Sequence, residues 1–156
     1  MEYVSSHDAL TALPNRSFLL KELQKKEELL EPFLLCLVDI DQFALVNDEY
    51  GAHAGDMLLK HLAKLIKQSL EGEFVARIYG DCFAIVFSLE KNLQYIQKLL
   101  LKLEQNIQTQ PLLYTQEDQI SFEVSIFYDD YKNEGVKEYL ERLQHSLKRY
   151  KLKKSS

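Results

Sequence analysis

Cysteine is scarce in this chain. Cys36 and Cys82 are its only two, and no C-x-x-C spacing joins them. Two isolated thiols exclude a disulfide framework and a cysteine-built zinc site, and they point to a reducing, cytoplasmic setting. Both stand in apolar runs, where cysteine behaves as a small hydrophobe. No apolar run approaches the roughly 18 residues of a membrane span, so the domain itself is expected to make no membrane contact. A basic patch followed by an apolar stretch is missing from the start, which argues against a signal peptide. A basic excess is missing too: the formal net charge is -5. Nucleic acid is therefore not an expected partner, although a local phosphate site stays compatible with that charge. There are no internal repeats and no low-complexity segment. His7, His61 and His145 have no metal-ligand spacing.

What is present is a globular composition. The 156 residues are 46% hydrophobic and 28% charged, which fits one ordinary domain. A chain of this length buries roughly 70% of its unfolded surface and needs no metal or disulfide staple.

Punctuation and periodicity divide it. Asn15 is an N-cap candidate. Phe18, Leu19, Leu23, Leu29 and Leu30 then follow a roughly helical period to about residue 31, before Pro32. Phe33 to Val38 is a continuous apolar run of strand length, as in a strand buried on both faces. It ends in Asp39-Ile40-Asp41, and acids beyond the carboxyl end of such a strand sit where α/β sheets hold ligands. Residues 42–50 read as a short helix closed by Gly51, and about 54–70 as a second. Residues 74–79 and 82–87 read as two strands. Only Gly80-Asp81 separates them, the signature of a type II′ hairpin. Residues 91–109 form an amphipathic helix with Leu93, Ile96, Leu100, Leu103 and Ile107 on one stripe. Ile120, Phe122, Val124, Ile126 and Tyr128 share one face of a strand over 119–128. Residues 134–152 form the last helix, and its basic run from Lys148 to Lys154 reads first as a solvated helix end. The expected fold class is α/β, a mixed central sheet with helices on both faces.

Asp39, Asp41 and Asp81 are then neighbours in one sheet. Paired carboxylates suit Mg2+, which takes hard oxygens at about 2.1 Å and shares them with substrate phosphates. Asn47 and Asp56, nearby, offer the donors and acceptors that read a guanine edge. Each feature also has a plainer reading. Gly80-Asp81 alone is a turn. Asp56 is a charge in the first turn of a helix. Asn47 caps local backbone. Asp39 satisfies backbone groups at a strand end.

Together the segments resemble the GGDEF domain of diguanylate cyclases over nearly the whole chain. Asp8 to Arg16 matches D-x-L-T-x-L-P-N-R. Asp39 to Phe43 matches D-I-D-x-F, Asn47 to Gly51 matches N-D-x-x-G, and Gly55-Asp56 the G-D that follows. Arg77-Ile78-Tyr79-Gly80-Asp81-Cys82-Phe83 falls where R-x-G-G-D-E-F belongs. The resemblance implies a ferredoxin-like, nucleotide-cyclase-like core. It also implies GTP and Mg2+ as ligands, cyclic di-GMP as product and a face-to-face homodimer. By position, Asp39, the Ile40 carbonyl and Asp81 resemble the metal ligands, Asp81 being the catalytic acid of the hairpin. Asn47, Asp56, Gly80 and Lys151 resemble the nucleotide-binding residues.

The pattern is not complete. Tyr79 replaces a signature glycine and Cys82 the signature glutamate. Ala44, Ala52, Phe127 and Ser155 stand where the family has Lys, His, Gly and Arg. The R-x-x-D inhibition motif, due from Leu70 to Glu73, is absent. The expectation is one degenerate GGDEF domain over 1–156, a piece of a larger multidomain signalling protein. Its activity is lost, and it regulates an attached or partner domain such as an EAL phosphodiesterase. A live cyclase and a dimerisation module without nucleotide are the alternatives.

Overall fold

The computed structural model describes residues 5–154. Helix α1, Arg16–Glu28, starts where the Asn15 side chain accepts the Phe18 amide, as the cap reading predicts. It stops four residues short of Pro32. Leu29 and Leu30, expected on its apolar stripe, lie beyond it and are exposed, with Leu30 at φ 55°. The chain has to leave the helix there, because the residue before a proline disfavours helical backbone.

Strand β1, Phe33–Ile40, is buried at every position but Asp39. Helices α2, Phe43–Tyr50, and α3, Ala52–Ser69, meet at Gly51, whose φ of 93° favours glycine. The hairpin of β2, Phe74–Tyr79, and β3, Cys82–Ser88, follows, then α4, Leu93–Thr109. Two short strands, β4 (Leu112–Leu113) and β5 (Gln119–Ile120), pair with each other. Strand β6, Val124–Asp129, and α5, Val136–Lys154, complete the described chain. The strand expected over 119–128 is therefore broken. Ile120 pairs with Leu112 and not with the main sheet, yet it packs in the same core as Phe122, Val124, Ile126 and Tyr128.

The main sheet has the order β2-β3-β1-β6. Every pairing in it is antiparallel, which corrects one detail of the mixed sheet expected. The α2–α3 crossover does return the chain in the direction of β1, but one strand position away, and β3 fills the gap. That is the ferredoxin-like arrangement, a crossover followed by a hairpin.

Successive side chains of β1 alternate between two cores. Leu34, Cys36 and Val38 join Phe83 and Ile85 under α3 and α4. Leu35 and Leu37 join Ala84 and Val86 under α1 and α5. Helices thus cover both faces, as the order of helices and strands predicts. On the second face Tyr139 is fully buried. Its hydroxyl donates to the Asp129 carbonyl at 2.6 Å and accepts the Leu35 amide at 3.0 Å. At the outer edge of β2, the Arg77 amide donates to the Pro14 carbonyl at 2.9 Å, and Pro14 also bridges His7.

Candidate functional site

The site lies where β1 ends beside the tip of the β2–β3 hairpin. Gly80 has φ 45° and Asp81 does not share the positive range, the sign pattern of a type II′ turn. A register shift between Arg77 and Tyr79 adds local twist. Pairing sets Cys82 opposite Asp39. The Ile40 amide reaches the Asp81 carbonyl at 3.4 Å, so Asp81 stands over the end of β1.

Arg77 fixes that tip. Its Nε donates to the Gly80 carbonyl at 2.8 Å, and its Nη1 meets both Asp8 oxygens at 3.0 and 3.1 Å. Asp8 also accepts from the amide and hydroxyl of Thr11. Burial alone would raise the Asp8 carboxyl, but the Thr11 bonds and the Arg77 guanidinium outweigh it and hold it below its ordinary value. The opening motif thus acts as a brace for the hairpin.

Asp39 is the electrostatic centre. Its Oδ2 lies 3.1 Å from the Lys151 ammonium, which also donates to the Ile40 carbonyl at 3.1 Å. Its Oδ1 is buried and has no hydrogen-bond partner among the described residues. Burial, and then the neighbouring Asp81 carboxylate, push the Asp39 pKa up to about 7, against the pull of Lys151. Asp39 therefore does not satisfy backbone groups at the strand end. Two carboxylates and a carbonyl converge here, and one carboxylate oxygen is left without a partner.

That donor set fits Mg2+. Asp39, Asp81 and the Ile40 carbonyl are hard oxygens of the kind it selects, and the orphaned Oδ1 is an acceptor ready for a cation. Bound there, the ion would neutralise phosphate charge. Cys82 would add nothing: it is fully buried, and burial, with Asp39 and Asp81 close by, drives its thiol pKa upward and keeps it neutral. Among the described residues no group of three or more His, Cys, Asp and Glu is placed to hold a metal. Phosphate oxygens would have to complete the shell.

Asn47 and Asp56, expected to read a base, lie on α2 and α3. Asn47 on α2 packs against Gly55 on α3, where a Cβ would meet its Oδ1 at 1.9 Å. Its side chain caps no backbone among the described bonds. Asp56 is exposed and sits one turn into α3, because that helix starts at Ala52 and its first turn holds no acid. No hydrogen bond or ion pair among the described residues joins Asn47 or Asp56 to Asp39, Asp81 or Lys151. The structure brings together Asp39, Asp81, the Ile40 carbonyl and Lys151, and Asn47 with Gly55.

The basic run of α5 is not merely a solvated helix end. Besides Lys151, the exposed Lys154 lies back on the end of β1, with its ammonium 2.9 Å from Asp41 Oδ2 and 3.3 Å from the Val124 carbonyl. The buried Ser125 hydroxyl donates to Asp41 Oδ1 at 2.6 Å. The i, i+3 spacing of the two lysines was the available signal, since it puts them on one helix face. Lys151 borders two clefts. One, of about 660 Å³, is lined by Asp41, Leu45, Tyr50, Phe122 and Lys154. The other, of about 650 Å³, is lined by Asp39, Tyr79, His145 and Lys148. The Tyr79 side chain is 56% exposed and so stands at the mouth of the second cleft without filling the carboxylate cluster. Ser155 lies outside the described residues.

A ferredoxin-like sheet with paired acids at the end of β1 and the hairpin tip defines a nucleotide-cyclase-like domain. The family model "Diguanylate cyclase, GGDEF domain" matches residues 5–156. This chain belongs to the GGDEF domain family. It is 37% identical over 93 residues to the diguanylate cyclase TpbB of Pseudomonas aeruginosa, a match covering 56% of this chain and 21% of that protein. Its fold matches the diguanylate cyclase SiaD of Pseudomonas aeruginosa, solved with its activator SiaC, with TM-score 0.83 and 25% identity. That match covers 94% of this chain and 58% of SiaD. It also matches the GGDEF domain of DgcB from Caulobacter crescentus, solved with c-di-GMP. There the TM-score is 0.81 and the identity 25%, over 94% of this chain and 88% of the other. The chain spans between 11% and 28% of the length of the curated relatives it matches. No helix among the described residues is long and apolar enough to cross a membrane.

Proposed function

We propose that this chain is a degenerate GGDEF domain, catalytically silent, that binds GTP and regulates an attached or partner domain of cyclic di-GMP signalling, such as an EAL phosphodiesterase. The observation that carries the reading is Cys82. A buried neutral thiol stands opposite Asp39, where the family pattern has a glutamate. The metal shell is then short of one acid. Tyr79 crowds the backbone at which the family glycine allows close approach to phosphate. Catalysis by two GTP-loaded copies needs the phosphates in line with nucleophile and metal, and a misplacement of about 1 Å costs about 10²-fold. Binding is less demanding, and the base end keeps both Asn47 and Asp56.

In this reading Mg2+ accompanies the nucleotide, held by Asp39, Asp81 and the Ile40 carbonyl. The domain is a cytoplasmic part of a longer protein, and the short share of its relatives' length supports that it is one part. Two measurements test the proposal. Calorimetric titration of GTP with Mg2+ is expected to give binding, and absence of heat at millimolar GTP would reject it. Incubation with GTP and Mg2+ or Mn2+ is expected to give no cyclic di-GMP. Product that disappears with Asp39→Ala would establish a live cyclase instead.

A further inference from the structure

The last turn of α5 places two ammonium groups on three consecutive residues at the end of β1. Lys151 holds Asp39 Oδ2 and the Ile40 carbonyl, both at 3.1 Å. Lys154 holds Asp41 Oδ2 at 2.9 Å, the Val124 carbonyl at 3.3 Å and the Ser125 hydroxyl at 3.4 Å. Of the oxygens at the end of β1 that suit a divalent cation, Asp39 Oδ2 and the Ile40 carbonyl are therefore both taken by one side chain of the same domain, which leaves Asp39 Oδ1. The two occupants exclude each other. A divalent ion about 2.1 Å from these oxygens would stand against an ammonium 3.1 Å from the same atoms, and both are positive. The ammonium also fills the place incompletely. It brings one charge to two carboxylates and leaves Asp39 Oδ1 without a partner in a buried position.

We propose that Lys151 is a tethered counter-ion in the cation position of this domain, so that a divalent metal reaches Asp39 and the Ile40 carbonyl only by displacing it, and the displacement loosens the last turn of α5. The inference rests on Asp39 and the Ile40 carbonyl as metal ligands and is independent of GTP binding. Competition of this kind weakens the metal by the fraction of time the competitor is in place. Removing the ammonium while keeping the stem removes the competitor. Lys151→Met does so, because the apolar part of a lysine side chain packs as a hydrophobe. The cation site and the C-terminal helix then report on each other: an occupied site has a freed Lys151 and a less anchored helix end.

The test uses metal without nucleotide. Mn2+ is titrated by calorimetry into the unaltered chain, Lys151→Met and Lys151→Gln, with Asp39→Asn as control. Amide exchange over residues 147–154 of the unaltered chain is followed with and without Mn2+. The expected result is Mn2+ binding about tenfold or more tighter in both lysine variants, loss of binding in Asp39→Asn, and faster exchange at the end of α5 when Mn2+ is bound. Equal or weaker Mn2+ binding in both variants overturns the proposal. So does unchanged exchange in the metal-bound chain, or no Mn2+ binding by any of the proteins. If both variants unfold, the exchange measurement on the unaltered chain decides alone. Failure of GTP to bind would sink the functional reading and leave this result standing.

Discussion

Gly55 exists for Asn47. A Cβ at position 55 would stand 1.9 Å from the Asn47 side-chain oxygen and 3.2 Å from the Phe43 ring. The backbone of α3 therefore forms the wall against which the Asn47 amide of α2 is set.

Gly55→Ala should accordingly displace Asn47 and little else. The amide is the free end of a side chain and can rotate away, so the loss of stability should stay within about 1–3 kcal/mol, as for modest overpacking. Guanine nucleotide affinity should fall as much as in Asn47→Ala. Urea unfolding and GTP titration on the same samples separate the two effects. A Gly55→Ala protein that binds GTP normally would show that Asn47 does not read the base.

Asp8→Asn should destabilise the domain at neutral pH and not in acid. The Asp8 carboxyl is held below its ordinary value, so its charged form favours the folded state. That contribution is present above the unfolded carboxylate pKa of about 3.9 and disappears as pH falls through the folded value. Melting curves of the two proteins should differ at pH 7 and converge in strong acid. A constant gap at all pH values would mean that Arg77 and Asp8 are held by packing alone.

Tyr79→Gly should raise GTP affinity, because the exposed ring leaves the mouth of the cleft, at a stability cost of about 1 kcal/mol for the added backbone freedom. Cys82→Glu is a different matter. It buries a third carboxylate beside Asp39 and Asp81, so the unliganded protein should lose about 3 kcal/mol or more. Mg2+ should return part of that loss. A Cys82→Glu melting temperature indifferent to Mg2+ would place the metal elsewhere. Combined with Tyr79→Gly, the same change should improve GTP binding in Mg2+ beyond either change alone.

Tyr139→Phe should cost about 1–3 kcal/mol, because it strips a partner from the Leu35 amide in a dry environment. The Tyr139 hydroxyl is also pushed up, to about 12, chiefly by burial, so the loss should be independent of pH across the neutral range. Denaturant unfolding at pH 6 and pH 8 checks both points.

The fold and the candidate site were legible in the sequence to different degrees. An apolar run stopping at Asp39 marked a central strand and its ligand end, and Gly80-Asp81 marked the hairpin. The helix stripes were visible too, because each is carried by residues three or four apart. What stayed hidden depends on distance along the chain. Lys151 meets Ile40 across 111 residues and Lys154 meets Asp41 across 113. The i, i+3 spacing puts both lysines on one face of α5, but it does not say which carboxylates that face meets. The Asp8–Arg77 pair spans 69 residues, so its motif could be matched while its bracing role could not. Strand β4 is two residues long and has no period to detect. Conversely, Leu29 and Leu30 kept a helical spacing that the backbone abandons before Pro32.

The Pro14 carbonyl on the Arg77 amide has a consequence for solubility. β2 is an outer strand, and an outer strand with free amides invites a second chain to add itself. The loop before α1 occupies that border at Arg77, and its proline supplies an acceptor while offering no amide of its own. A protein shortened to begin at Arg16 would retain every helix and strand named above, yet it would present an open border to its own copies and should aggregate as it is concentrated.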